Sequence, residues 1–175
     1  MKERKIDLFE TIYEDGVDAI CITTNGQYTM QGIAAMGGGC AGICAQRWPE
    51  TAKRLGKLLK TFGTNIPFVI GALDNNGNYL EPNREMIRNK LFKCLIFSFP
   101  TINQLAYGAN LELIKQSSAI VKDYANQFEL KGIVIPRPGC GIGSLDYYKE
   151  VRPELIKILD DRFTIVCQEN DEFYE

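Results

Sequence analysis

Residues 135–145 read IPRPGCGIGSL, with two prolines and three glycines set around one cysteine. Directly before them, Lys131-Gly-Ile-Val-Ile135 is an apolar, β-branched run that predicts a buried strand, and a helix-like pattern follows. So much backbone constraint at a strand's end has two physical uses. It makes a tight connection, or it lets backbone N–H groups approach an anion beside the positive end of a helix. A second loop stands in the same position. The run DAICITT at 18–24 predicts a buried strand, Asn25-Gly26 ends it, and Met36-Gly-Gly-Gly-Cys-Ala-Gly42 leads towards a helix. Ligands of open α/β sheets bind outside the carboxyl ends of strands, so two such loops facing each other suit two phosphates. Neither loop is a P-loop, because no Gly-Lys-Ser/Thr follows, and Gly139-Cys-Gly141 continues as Ile-Gly-Ser rather than completing a dinucleotide fingerprint.

The rest of the chain alternates strand and helix signals. Pro49 suits the first turn of a helix over ETAKRLGKLLKTF, whose Ala52, Leu55, Leu58, Leu59 and Phe62 recur at helical spacing. A strand is expected at 66–73, with a hairpin return at 78–80 after Asp74-Asn-Asn-Gly77. FKCLIFSF at 92–99 predicts a strand stopped by Pro100, 111–128 a helix, and 132–136 and 163–167 the last strands. Trp48 and Phe62 are expected in the core, and the acidic tail ENDEFYE at 169–175 is expected to fray. Alternation of this kind implies an α/β fold with a mostly parallel or mixed sheet. With no linker or repeat, residues 1–175 read as a single domain.

Composition narrows the function. The 175 residues are 45% hydrophobic and 24% charged with a net charge of −2, which disfavours a basic nucleic-acid binder. No stretch is apolar enough to span a bilayer, and MKERKIDLFE lacks the apolar core of a signal peptide, so a cytoplasmic protein is expected. Six cysteines are scattered through apolar surroundings. Cys40 and Cys44 share a helical face, but there is no histidine and no second pair to complete a zinc set, so no metal is expected. The missing histidine also removes Ser-His-Asp and Cys-His catalysis. Any chemistry must use carboxylates, thiols, amines, backbone amides or the substrate's own groups.

Three segments in order, DAICITTNG, AAMGGGCAGICAQRWP and IPRPGCGIGSLDYYKEVRPELIKILDDRF, give the chain a resemblance to the macro domain family. It is similar to small bacterial and phage macro proteins and to the branch that removes ADP-ribose from protein glutamates. The resemblance implies a three-layer α/β/α fold with a mixed, mostly parallel central sheet, and ADP-ribose held between the two loops. It implies that Asp7 contacts adenine and Asn25 faces the distal ribose. Gly37, Gly38 and Gly39 would lie near that ribose and the diphosphate. Gly139, Cys140, Gly141, Ile142 and Gly143 would wrap the diphosphate, with Cys140 supplying an amide rather than a nucleophile. A valine at Gly141 is expected to disfavour the backbone and to fill the phosphate space.

The departures concern chemistry. Thr101-Ile102-Asn103 holds no lysine where the glutamate-directed branch has one, and Gly143 stands where that branch has an aspartate and many macro domains an aromatic residue. Asp146 is left as the acid near the second loop, for catalysis or as a helix N-cap, with Asn25 as a secondary catalytic candidate. The expected partner is ADP-ribose or an ADP-ribosylated molecule, with no cofactor, no membrane, nucleic acid only as a modified substrate, and a monomeric state. Two functions stay open: hydrolysis of an ADP-ribosyl ester, ADP-ribose 1″-phosphate or acyl-ADP-ribose, and non-catalytic reading or sequestering of ADP-ribose.

Overall fold

The computed structural model describes residues 1–168, and the expectation for 169–175 lies outside them. Seven strands form one sheet: β1 (Lys2–Lys5), β2 (Ala19–Asn25), β3 (Val69–Leu73), β4 (Tyr79–Leu80), β5 (Cys94–Ile102), β6 (Ile133–Pro136) and β7 (Phe163–Cys167), in the order β1-β7-β6-β2-β5-β3-β4. The pairs β1·β7, β7·β6, β6·β2 and β2·β5 are parallel, while β3 and β4 are antiparallel additions. The helices are α1 (Gly39–Arg47), α2 (Pro49–Phe62), α3 (Arg84–Arg88), α4 (Leu111–Gln127) and α5 (Arg152–Ile158).

The layers follow from strand alternation. Ile20, Ile22, Ile70, Ile96, Val134 and Val166 face a core completed by Leu8, Phe9, Ile12, α1 and α2. Their neighbours Ala19, Cys21, Leu95, Phe97, Ile133, Ile135 and Ile165 face a second core closed by α4, the turn at 147–151 and α5. A sheet covered on both faces needs strands that are apolar throughout, and β5 is buried along all nine residues. This is a three-layer α/β/α architecture, as expected.

Three expectations need correction. Pro100 does not stop β5, which continues to Ile102. Ser98 N–H donates to Phe68 O at 2.9 Å, so residue 100 would point its N–H to the same side, beyond the β3 ladder that begins at Val69; no ladder bond is lost there. The first strand, Lys2–Lys5, was not expected because KERK has no apolar signal; it forms because it is an edge strand paired only with β7. Phe62 is 62% exposed rather than in the core, whereas Trp48 is buried at 6% and donates its indole N–H to Gly77 O at 2.9 Å.

Candidate functional site

Because β1, β7, β6, β2 and β5 run the same way, their carboxyl ends share one edge of the sheet. Asp7 follows β1, Asn25 ends β2, Asn103 follows β5, and loop 137–146 follows β6. The topology thus gathers both glycine loops and the two polar candidates at one rim.

The first loop is braced from beneath. The Asn25 side chain donates from Nδ2 to Ala35 O and accepts from Gln27 N–H, both at 2.9 Å. Thr23 Oγ1 meets Cys40 Sγ at 3.1 Å, tying the start of α1 to β2. Gly37, Gly38 and Gly39 are exposed, and Gly38 is the N-cap of α1 with no side-chain cap. The N–H groups of the first turn of α1 therefore point from the rim without a capping side chain.

The second loop is folded on itself. Leu145 N–H donates to Gly139 O at 3.0 Å, Ser144 N–H to Gly141 O at 3.1 Å, and Ala109 N–H to Gly143 O at 3.3 Å. A Cβ on Gly143 would lie 2.5 Å from Ala109 Cβ, so glycine there is a packing requirement. Gly141 differs. It is exposed, its backbone lies outside the left-handed region, and a Cβ built on it meets nothing within 4 Å. The expected backbone penalty for a valine there is thus absent, and only the space argument stands. Ile142 is 70% exposed, and its Cδ1 lies 3.1 Å from where a Gly38 Cβ would be, so the tips of the two loops meet.

Five parallel strands, two opposed glycine loops at their carboxyl ends and helices on both faces define a known architecture. No protein-family model matches the chain, and no curated protein matches it. Solved structures do. The macrodomain of Mycobacterium tuberculosis DarG aligns over 94% of this chain and 95% of its own, with 21% identity and a TM-score of 0.67. The macrodomain of Thermus aquaticus DarG aligns over 94% and 95%, with 20% identity and a TM-score of 0.67. This chain has the macrodomain fold. Thermosipho africanus DarTG in complex with ADP-ribose is also similar, at 15% identity and a TM-score of 0.68; the match covers 93% of this chain and 41% of that longer one.

Within this macrodomain fold the titratable candidates are engaged. Asp7 is half-buried, and its Oδ1 accepts from Phe9 N–H at 2.8 Å. Asp146 Oδ1 accepts from Lys149 N–H at 2.9 Å, and Glu150 Oε2 accepts from Asp146 N–H at 2.8 Å, a reciprocal cap. That cap fills the N-terminus of the wide turn Tyr147–Val151 leading into α5, so only the first loop presents an uncapped helix start. Cys140 donates its S–H to Pro138 O at 3.3 Å, and burial pushes its thiol up to about 12. Burial raises Cys40 as well and pushes Cys44 up to about 12, and the two point to different partners, Thr23 and Thr51.

The tertiary structure adds groups that carried no sequence signal. A hollow of about 460 Å³ adjoins the end of β2 and is lined by Gln27, Asn65, Asn103 and Gln104 among uncharged neighbours. Asn65 Nδ2 donates to Ile102 O and to Asn103 Oδ1, both at 3.0 Å, and Gln27 Oε1 accepts from Leu105 N–H at 2.9 Å. Arg137 lies over the rings of Tyr147 and Tyr148, 4.6 and 5.5 Å from their centroids, and props the stem of the second loop. These residues come from distant parts of the chain, and only the parallel topology brings them to one rim.

Proposed function

We propose that the cleft between the two loops binds ADP-ribose or an ADP-ribose derivative. One observation carries this reading: Gly141 is a glycine that neither backbone geometry nor packing requires, at the exposed tip of a loop that touches the opposing loop. An absent side chain that the fold does not need leaves room for a ligand. In this reading the amides of residues 37–39 and 139–143 hold the diphosphate, Asp7 accepts from the adenine amine, and Asn25 faces the distal ribose. Amides stabilise a dianion without fixed positive charge, which suits a chain of net charge −2. The ADP-ribose complex of the similar Thermosipho africanus protein supports the choice of ligand.

A reader that binds without turnover is favoured over a hydrolase. Asp146 is spent on a cap, the Cys140 thiol is held neutral, and the carboxamide of Asn25 braces the loop. Hydrolysis of an ADP-ribosyl ester, ADP-ribose 1″-phosphate or acyl-ADP-ribose then has to rely on water oriented by the substrate's phosphate. Calorimetry on the parent and on Gly141→Val tests the binding reading. The variant should melt normally and lose ADP-ribose affinity by about tenfold or more, roughly 1.4 kcal/mol. Full affinity in the folded variant sinks it. Turnover of the three substrate classes by the parent would reinstate the hydrolase.

A further inference from the structure

A hollow of about 800 Å³ lies away from the glycine loops, along the β3–β4 edge between α2, α3 and the end of α4. Its lining holds four cations, Arg54, Arg84, Arg88 and Lys90, against one carboxylate, Glu129. A chain of net charge −2 has therefore concentrated positive charge in one groove.

The cations divide by role. Lys90 Nζ donates to Phe128 O at 2.7 Å and Glu129 O at 2.9 Å, closing the end of α4. Arg54 donates from Nε to Val69 O at 2.9 Å and pairs with Glu81 at 2.6 Å. Arg84 and Arg88 stand one helical turn apart on α3, both exposed, and neither has a hydrogen bond or ion pair among the described residues. Two unpaired guanidinium groups on one face form a fork suited to phosphate oxygens.

Beside the charged groups the lining carries four aromatic rings, Phe62, Phe68, Tyr124 and Phe128, among aliphatic side chains and the carboxamides of Asn83 and Gln127. Phe62 stacks on Phe68 with centroids 5.8 Å apart and planes at 28°, and it leaves 62% of its surface in water. Tyr124 and Phe128 make a second stacked pair, 5.4 Å apart at 25°. Of the two carboxamides, Asn83 Oδ1 already accepts from Met86 N–H at 2.8 Å. Stackable rings beside unpaired cations match a ligand that repeats phosphates and π-faces.

We propose that this groove binds single-stranded nucleic acid, with bases on Phe62 and the Tyr124–Phe128 pair and phosphates on Arg84 and Arg88. The site is separate from the cleft and does not depend on what the cleft binds.

The test is fluorescence anisotropy of a labelled twelve-residue oligothymidylate at low salt. Binding should weaken with salt at a slope of about −1.4 in log K against log salt, the value for two phosphate contacts on a single strand. Arg84→Gln/Arg88→Gln should lower affinity about tenfold and flatten that slope, and Phe62→Ala should lower it roughly fivefold or more. All three positions are exposed, and melting curves verify folding. Saturating ADP-ribose and the Gly141→Val change should leave oligonucleotide binding intact. The proposal is overturned by no binding at low salt, by a duplex binding as tightly as the single strand, by poly-glutamate competing as well as unlabelled oligothymidylate, or by unchanged affinity in the folded variants.

Discussion

Asp7 and Asp146 show how much a carboxylate's meaning depends on its neighbours. The Oδ1 atom of Asp7 is taken by Phe9 N–H, which leaves Oδ2 to meet a ligand. Asp7→Asn can keep the Phe9 bond with its carbonyl oxygen but would turn an amide donor towards the amine of adenine. ADP-ribose affinity should fall by about tenfold, the scale of one lost hydrogen bond to a charged group, with melting unchanged. Parent-like calorimetry for that variant would remove Asp7 from the site. Asp146→Ala should do the reverse. It removes a helix cap and should cost about 1 kcal/mol of stability in a denaturant titration, while ADP-ribose affinity stays within roughly twofold. A collapse of affinity at unchanged stability would return Asp146 to the binding chemistry.

At the scale of elements, α2 and α4 were legible because their apolar positions recur every three to four residues, and β2, β5, β6 and β7 because they are apolar runs. What escaped was set by neighbours. The charged strand Lys2–Lys5 has no intrinsic signal and exists through its pairing with β7, and Pro100 is tolerated because the side its N–H would face lies beyond the end of the β3 ladder. Gly56, in the middle of α2, illustrates the same dependence. On propensity alone, Ala there would gain about 1 kcal/mol. In this fold its Cβ would stand 2.0 Å from Gly32 O and 2.7 Å from Ala34 N, the backbone segment that leads into the first glycine loop. Gly56→Ala should therefore destabilise, by about 2–3 kcal/mol as an overpacked site, and loosen the loop above it. Thermal melting with and without ADP-ribose checks both effects, and a raised melting temperature would contradict the close approach.

For the whole molecule, charge decides the response to pH. With no histidine, no side chain has its ordinary titration between about pH 5 and 8, so melting temperature should be nearly flat there. Acid is different. The Arg162 guanidinium holds Asp160 at about 2, below its ordinary 3.8, and the bond from Arg152 lowers Glu3 on the edge strand. A depressed carboxylate contributes stability that is present above its unfolded value and lost as pH falls through the folded one. Melting temperature should thus drop from about pH 4 towards 2. Asp160→Asn should shrink the drop in that window, and an identical pH profile for the variant would show that the pair carries no linkage.

The alternation of apolar strands with periodic helices determined the layered α/β class by itself, since burying one face of each element is a local demand written into residue order. The two glycine loops were legible for the same reason: φ freedom and missing side chains are properties of the residues themselves. Which glycines serve the fold and which leave space was decided only in three dimensions, where Gly143 packs against Ala109 and Gly141 faces nothing. The carboxamide hollow beside β2 and the basic, aromatic groove beside β3 were likewise invisible. Their residues lie tens of positions apart, and net charge averages over the surface that folding divides.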